Sequence, residues 1–265
     1  IPPEAGRRTT ADRSGPILSS WGGVLRFLPI NLRGRETVGS DLAVTARKPE
    51  KRWFVGRGPL DVPMDKSTFI GRLNEELRLD AFADSDPSEN GLQVGRSEGE
   101  VETVAFAVDA AVETIDAAAN WDADMLVVHH GLSWGGIDRV TGRAYERIRR
   151  LVEHEIDLYA AHIPLDSHPD LGNAAGLASL LELDDRRPFG TYDGETLGLR
   201  GQLPDTRDVG QLEALLTREL DHGGEGVRVL DVGVEEIDSV AVVTGAGSDW
   251  LDEAVEAGVD AFLTG

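Results

Sequence analysis

Met125-Leu126-Val127-Val128-His129-His130-Gly131 is the stretch on which the fold turns. Four consecutive apolar residues, too few for a helix, read as a short strand buried on both faces. The strand is expected to end at Val128 and to deliver two histidines at its carboxyl end. Neighbouring side chains of a continuing strand point to opposite faces. Gly131 is expected to let the backbone turn there, so that both imidazoles converge on one crevice. Open α/β sheets bind ligands in the crevice beyond the carboxyl ends of their strands, and imidazole suits borderline divalent ions. Taken alone, the pair reads equally well as two polar loop histidines without a ligand.

A second strand end changes that balance. Ile156–Ala161 reads as another strand, and it runs into His162-Ile163-Pro164-Leu165-Asp166. Pro164 is expected to fix a turn and bar a helix between His162 and Asp166. A carboxylate beside imidazoles can hold one ion or bridge two. We therefore read His129, His130 and Asp166 as the protein half of a divalent-metal site. His162 is either a further ligand or a hydrogen-bond partner that orients one. His168 and Asp170 read as helix entry and capping, and His154 and His222 receive no role. Gly245-Ala246-Gly247-Ser248 reads as a plain strand-to-helix turn rather than a phosphate cradle. Gly-x-Ser-x-Gly does not occur, so no serine nucleophile is supported. Of the five tryptophans, Trp134 lies near the histidine pair and could line a pocket.

Outward from these two strands the text alternates between strand and helix. Phe69, Ile70, Leu73 and Leu77 after Ser67 form a capped amphipathic helix. Val101–Val108 is a strand and Ala110–Asn120 the helix after it; Thr141–Glu155 and Asn173–Leu181 are further helices. A less regular middle, 186–235, holds Gly198–Leu203 and a helix over Val209–Leu220. Ser239–Thr244, Ser248–Ala257 and Asp260–Thr264 form a closing βαβ unit. Such alternation predicts an α/β fold of mostly parallel strands flanked by helices. Residues 1–63 read differently: they begin at Ile1, are rich in Arg, Gly and Pro, and show no sustained period or signal-peptide order. They are expected to be a disordered or upstream extension, with the folded unit over 64–265. The chain ends at Gly265 directly after a strand, and a closing segment is expected to be missing.

Composition narrows the chemistry. Cysteine is absent, which excludes disulfides, iron–sulfur clusters and thiol nucleophiles, so any metal must be held by His, Asp, Glu or carbonyl oxygen. The net charge of −22 argues against a nucleic-acid backbone as partner. Residues 1–63 carry 11 Lys+Arg against 6 Asp+Glu, whereas 64–265 carry 15 against 42, and only Lys66 among those 15 is a lysine. An acid-rich, lysine-poor surface suits concentrated salt, which screens self-repulsion, so a halophilic acidic protein is expected. No run approaches the roughly 20 apolar residues of a membrane span, and a cytoplasmic location is expected.

Asn90-Gly91-Leu92-Gln93-Val94-Gly95, Val127 to Gly131, His162 to Asp166 with His168 to Ala174, Thr244 to Ser248, and Asp260 to Gly265 occur in that order. Together they resemble the Nif-three-like family of dinuclear-metal proteins, the GTP cyclohydrolase I type 2 homologues, over about 64–265. The resemblance implies a two-lobed α/β fold assembled as a ring-shaped homohexamer. It implies two divalent ions per subunit (Zn, Fe, Mn, Mg or Ni), with His129, His130 and Asp166 as ligands. A further His and Glu of the family's ligand set would lie beyond the Thr264-Gly265 that closes this sequence. It also implies a metal-dependent hydrolase with a small-molecule substrate, in which ions lower the pKa of a water; the GTP activity rests on the family name alone. Two other readings stand beside it: a non-catalytic metal-binding scaffold that forms an oligomeric ring, and a dinuclear phosphodiesterase.

Overall fold

The computed structural model describes residues 55–137, 139–220 and 226–265. The expected extension therefore lies outside the described residues up to residue 54, as does His222. From Val55 the chain forms strand β1 (Val55–Asp65), so the expected boundary at Met64 falls inside a strand. Two sheets follow. The first contains β1, β2 (Gly91–Val94), β3 (Glu100–Asp109), β4 (Met125–His130) and β5 (Asp157–Ala160), in the spatial order β1-β3-β4-β5-β2. The second contains β6 (Asp184–Tyr192), β7 (Glu195–Arg207), β8 (Ile237–Val242) and β9 (Ala261–Leu263), in chain order.

The α/β class holds, but the strands are mixed rather than mostly parallel. β3, β4 and β5 run parallel in the centre of the first sheet, and β8 pairs with β9 in parallel. β1, β2, β6 and β7 all add by antiparallel pairing. The parallel strands are those with continuous apolar text, as expected for strands covered on both faces. β6 and β7 are joined by Asp193-Gly194, both at positive φ (49° and 85°), the geometry of a two-residue hairpin turn. Their apolar content is low because most of β6 is exposed, so periodicity carries no signal there.

Alternation along the central strands divides the packing around the first sheet into two cores. Val104, Phe106, Met125, Val127 and Tyr159 pack with Phe69, Leu73 and Leu77, the latter from or just after helix α1 (Lys66–Glu76). Ala105, Ala107, Leu126, Val128, Leu158 and Ala160 face the other way. There they meet Ile115 and Ala118 of α2 (Val112–Ala119) and Leu151 of α3 (Gly142–Glu153). Helix α1 is capped by Asp65, whose Oδ1 accepts from the Thr68 amide at 2.9 Å; the expected cap, Ser67, donates its hydroxyl to the same oxygen. Pro164 does not bar a helix. Ile163–Asp166 forms a single turn, α4, with Pro164 in its first two positions, where the missing N–H would have had no helical partner anyway. Helix α5 (Asn173–Leu180) then packs on the second sheet, whose core also takes Leu212 and Leu216 of α6 (Val209–Glu219). The βαβ unit forms with a 3-10 turn at Gly247–Trp250 ahead of α7 (Leu251–Glu256).

Lys66, the single lysine of residues 64–265, is buried and ion-paired with Asp157 at the start of β5; the two side chains are 10% and 7% exposed. Removing one member of a buried pair leaves an uncompensated charge. Lys66→Met is expected to lower the free energy of unfolding by about 3 kcal/mol, and the double variant Lys66→Met/Asp157→Asn to recover part of it. Urea denaturation of both proteins measures this, and an unchanged midpoint for the single variant contradicts it.

Candidate metal centre

β4 runs through His130 rather than stopping at Val128, so both histidines are strand residues. The two imidazoles nevertheless lie 4.6 Å apart between ring centroids. Their neighbours explain how. His129, buried, places Nδ1 3.1 Å from the carbonyl oxygen of Ala161 at the end of the adjacent strand. His130 places Nδ1 2.8 Å from Oδ1 of Asp109, its register partner at the end of β3. Gly131 serves a purpose other than the expected turn. Its φ is not positive, but an added Cβ would stand 2.3 Å from Oε1 of Gln93. That amide is fixed between the Leu132 N–H, which donates to it at 2.7 Å, and the Glu89 carbonyl, which accepts from it at 2.6 Å.

His162 joins the pair. Its ring centroid is 5.0 Å from that of His129 and 5.8 Å from that of His130, and the three residues present ligand atoms that all lie within 4.8 Å of one another. Its Nδ1 is 2.9 Å from Oδ1 of Asp86, a carboxylate only 1% exposed. Asp86 also accepts from the amides of Ser88 and Ile163, each at 2.9 Å, and from the Asn90 side chain at 2.8 Å. Asn90 in turn accepts from the His162 amide at 2.8 Å. Burial pushes the Asp86 carboxyl up, but these donors outweigh it and hold the pKa below the usual carboxylate value. Asp109 is held low chiefly by the hydrogen bond from His130, against its own burial.

A carbonyl or carboxylate oxygen can only accept, so in all three histidines Nδ1 carries a proton, and in the neutral imidazole Nε2 is then the lone-pair atom. This is the arrangement of metal-ligating histidines, whose second nitrogen is tied to an oxygen that fixes tautomer and ring orientation. Burial dominates His129 and pushes its pKa below the ordinary value; Asp166 opposes this and the two neighbouring imidazoles reinforce it. The neutral, ligating form is thereby favoured. Asp166 lies on the His129 side, with Oδ2 3.5 Å from Nε2 and Oδ1 accepting from Asn173 Nδ2 at 2.6 Å. The donor set, three imidazoles and a carboxylate, fits a divalent ion of borderline character.

Of the sequence-predicted residues, the structure groups His129 and His130 most tightly with His162, and Asp166 approaches through His129. Asp86 and Asp109 were missed by sequence reasoning. Asp109 could have been found, since it ends the strand beside β4; Asp86 sits in an acidic loop with no pattern around it. His168 and Asp170 do not cap α5, whose N-cap is Gly172 with no side-chain bond; the His168 Nδ1 instead accepts from the Asp170 and Leu171 amides at 3.2 and 3.1 Å in the turn before it. Trp134 does stand at the site, 4.8 Å from His162 between ring centroids and 48% exposed.

Strand-end histidines at the carboxyl ends of neighbouring parallel strands define an α/β protein with a histidine cluster able to hold a metal. Residues 64–265 match the Duf34/NIF3 (NGG1p interacting factor 3) family, and the chain belongs to it. A protein of Halobacterium salinarum named GTP cyclohydrolase 1 type 2 homolog is 54% identical over 202 residues, 76% of this chain and 79% of that one. A protein of the same name from Pyrococcus abyssi is 41% identical over 202 residues, 76% and 78% of the two chains. Among solved structures, TTHA1606 from Thermus thermophilus superposes with a TM-score of 0.64 at 32% identity, covering 76% of this chain and 78% of its own. Among the described residues, no helix is long and apolar enough to cross a membrane.

Asp86→Ala would leave four donors without an acceptor in a buried position. The variant is expected to lose about 3 kcal/mol of stability, with Asp86→Asn less affected. Denaturant unfolding checks this; a wild-type midpoint for the alanine variant would mean that the loop does not hold His162.

Proposed function

We propose that the protein is a metal-dependent hydrolase whose His129, His130 and Asp166 hold two divalent ions, with His162 as a further imidazole at the same centre. The observation that carries the reading is the clustering of three histidines, each tied to an oxygen through Nδ1. When bound, divalent ions lower the pKa of water and supply hydroxide near neutral pH. The chain's own residues do the rest. Ala161, Asp109 and Asp86 fix the rings before any ion arrives, so little ordering entropy remains to be lost on binding. Burial of His129 keeps one side of the centre dry, which strengthens electrostatic interactions there. Exposed Trp134 leaves the opposite side open to a substrate. The name shared by the relatives makes GTP the first substrate to try, beside cyclic dinucleotides and simple phosphodiesters.

Metal content after incubation with Zn, Mn or Fe and exhaustive dialysis tests the centre. His130→Ala and Asp166→Ala are each expected to weaken binding by about 100-fold, and His162→Ala by less. Unchanged metal content in both of the first two variants would sink the assignment. Turnover of the substrate panel with and without added metal tests the reaction, and a metal-loaded protein that hydrolyses none of the panel would remove the hydrolase reading.

A further inference from the structure

The histidine cluster opens on one side into a cleft of about 350 Å³ lined by His130, Asp109, Trp134 and Arg147. A space of that size accommodates a small molecule rather than a lone ion. Arg147 is carried by α3, and the arginines of that helix divide by what they touch. Arg149 pairs with Glu146 and Glu153, and Arg150 with Glu146 and Asp116. Arg147, turned to the cleft and partly buried, has no hydrogen bond or ion pair to its guanidinium among the described residues. The carboxylate nearest in function, Asp109, has one oxygen committed to His130. It attracts Arg147 only at longer range, together with Glu113, while burial and Arg143 act against the guanidinium's charge.

A partly desolvated cation without a partner is costly unless something meets it. It stands in a stretch, residues 64–265, that carries 15 Lys+Arg against 42 Asp+Glu, a balance that disfavours anions in general. A planar guanidinium is suited to gripping two oxygens of a phosphate at once. We propose that Arg147 is a specificity-determining residue that binds a phosphate group of the substrate, holding it in the cleft beside His130. The inference rests on the proposed hydrolytic reading for the word substrate, but not for the binding itself. It assigns a phosphate-bearing small molecule to the cleft and a single side chain to its recognition.

Calorimetric titration of inorganic phosphate into the full chain, stripped of metal by chelation and held at low ionic strength, isolates Arg147 from any bound ion. Wild type is expected to bind phosphate with a millimolar dissociation constant. Arg147→Gln should bind it at least about tenfold more weakly, the scale of one lost charge-assisted pair. Arg147→Lys should fall between, keeping the charge without the fork, and Arg187→Gln, an exposed arginine on β6 of the second sheet, should match wild type. Acetate titrated in parallel should bind more weakly than phosphate. The proposal is overturned if wild type fails to bind phosphate, if Arg147→Gln binds it equally well, or if acetate binds as tightly with the same dependence on Arg147. Arg147→Lys carries the test should Arg147→Gln not fold. Metal content of Arg147→Gln is expected to equal wild type, so loss of phosphate binding and loss of the metal centre are read separately.

Discussion

The candidate centre depends on the register of three parallel strands. Phe106 lies opposite Val127, Ala107 opposite Val128, and Val128 opposite Ala160, so β3, β4 and β5 reach the same edge together. The ladder continues one step past the strands, through the Ala110 amide to the His130 carbonyl and the Ala161 amide to the Val128 carbonyl. Asp109, the histidine pair and His162 are thereby delivered side by side from segments far apart in sequence. A slip of one residue would turn every side chain of the slipped strand to the opposite face. The two cores on either side of the sheet, each filled by alternate residues of the same strands, make that slip prohibitive. Packing remote from the cluster thus sets its geometry.

Within that frame the acidic residues act as positioning groups. Asp86 and Asp109 each spend an oxygen on a histidine Nδ1, and the Ala161 carbonyl does the same for His129. Three different kinds of segment, a loop, a strand end and a strand-to-helix junction, therefore converge on one hydrogen-bond arrangement. Asp86 is the most constrained of them. It gathers four donors from residues 88, 90, 162 and 163, so the loop after the Leu79–Phe82 3-10 turn and the α4 turn are locked together through a single carboxylate. The energetic consequence is that a charge buried at 1% exposure stays ionised because hydrogen bonds offset its desolvation.

What the sequence made legible follows from where apolar text is continuous. β3, β4 and β5, the helices between them, α5, α6 and the closing βαβ unit were all readable, because buried parallel strands and amphipathic helices imprint strong periods. The antiparallel additions were not. β2 is four residues long at a sheet edge, and β6 is mostly exposed, so neither imprints a pattern; the Asp193-Gly194 turn was the available signal for the β6–β7 hairpin. The α4 turn was hidden by Pro164, which is tolerated in a first turn but not in a helix interior. At the site, residues on strand ends were legible and their anchors were not. His129, His130, His162 and Asp166 stand in short distinctive runs, whereas Asp86 acquires its role only through contacts 76 and 77 residues away in sequence.

The position of the cluster between the two cores has a further physical meaning. His129 continues the face of Met125 and Val127, and His130 continues that of Leu126 and Val128. The rings nevertheless meet at the end of the strand, with centroids 4.6 Å apart, because each is drawn by an oxygen on a neighbouring segment. A ligand held by both rings would therefore be contacted from each core at once. Any opening that separates β4 from β3, from β5 or from the Asp86 loop removes at least one anchor, so the binding-competent state and the closed native state are nearly the same ensemble. Binding to such a state stabilises the whole sheet by mass action, in proportion to the logarithm of ligand concentration over its dissociation constant. The register of three strands and the occupancy of one edge are in this way two readings of a single equilibrium.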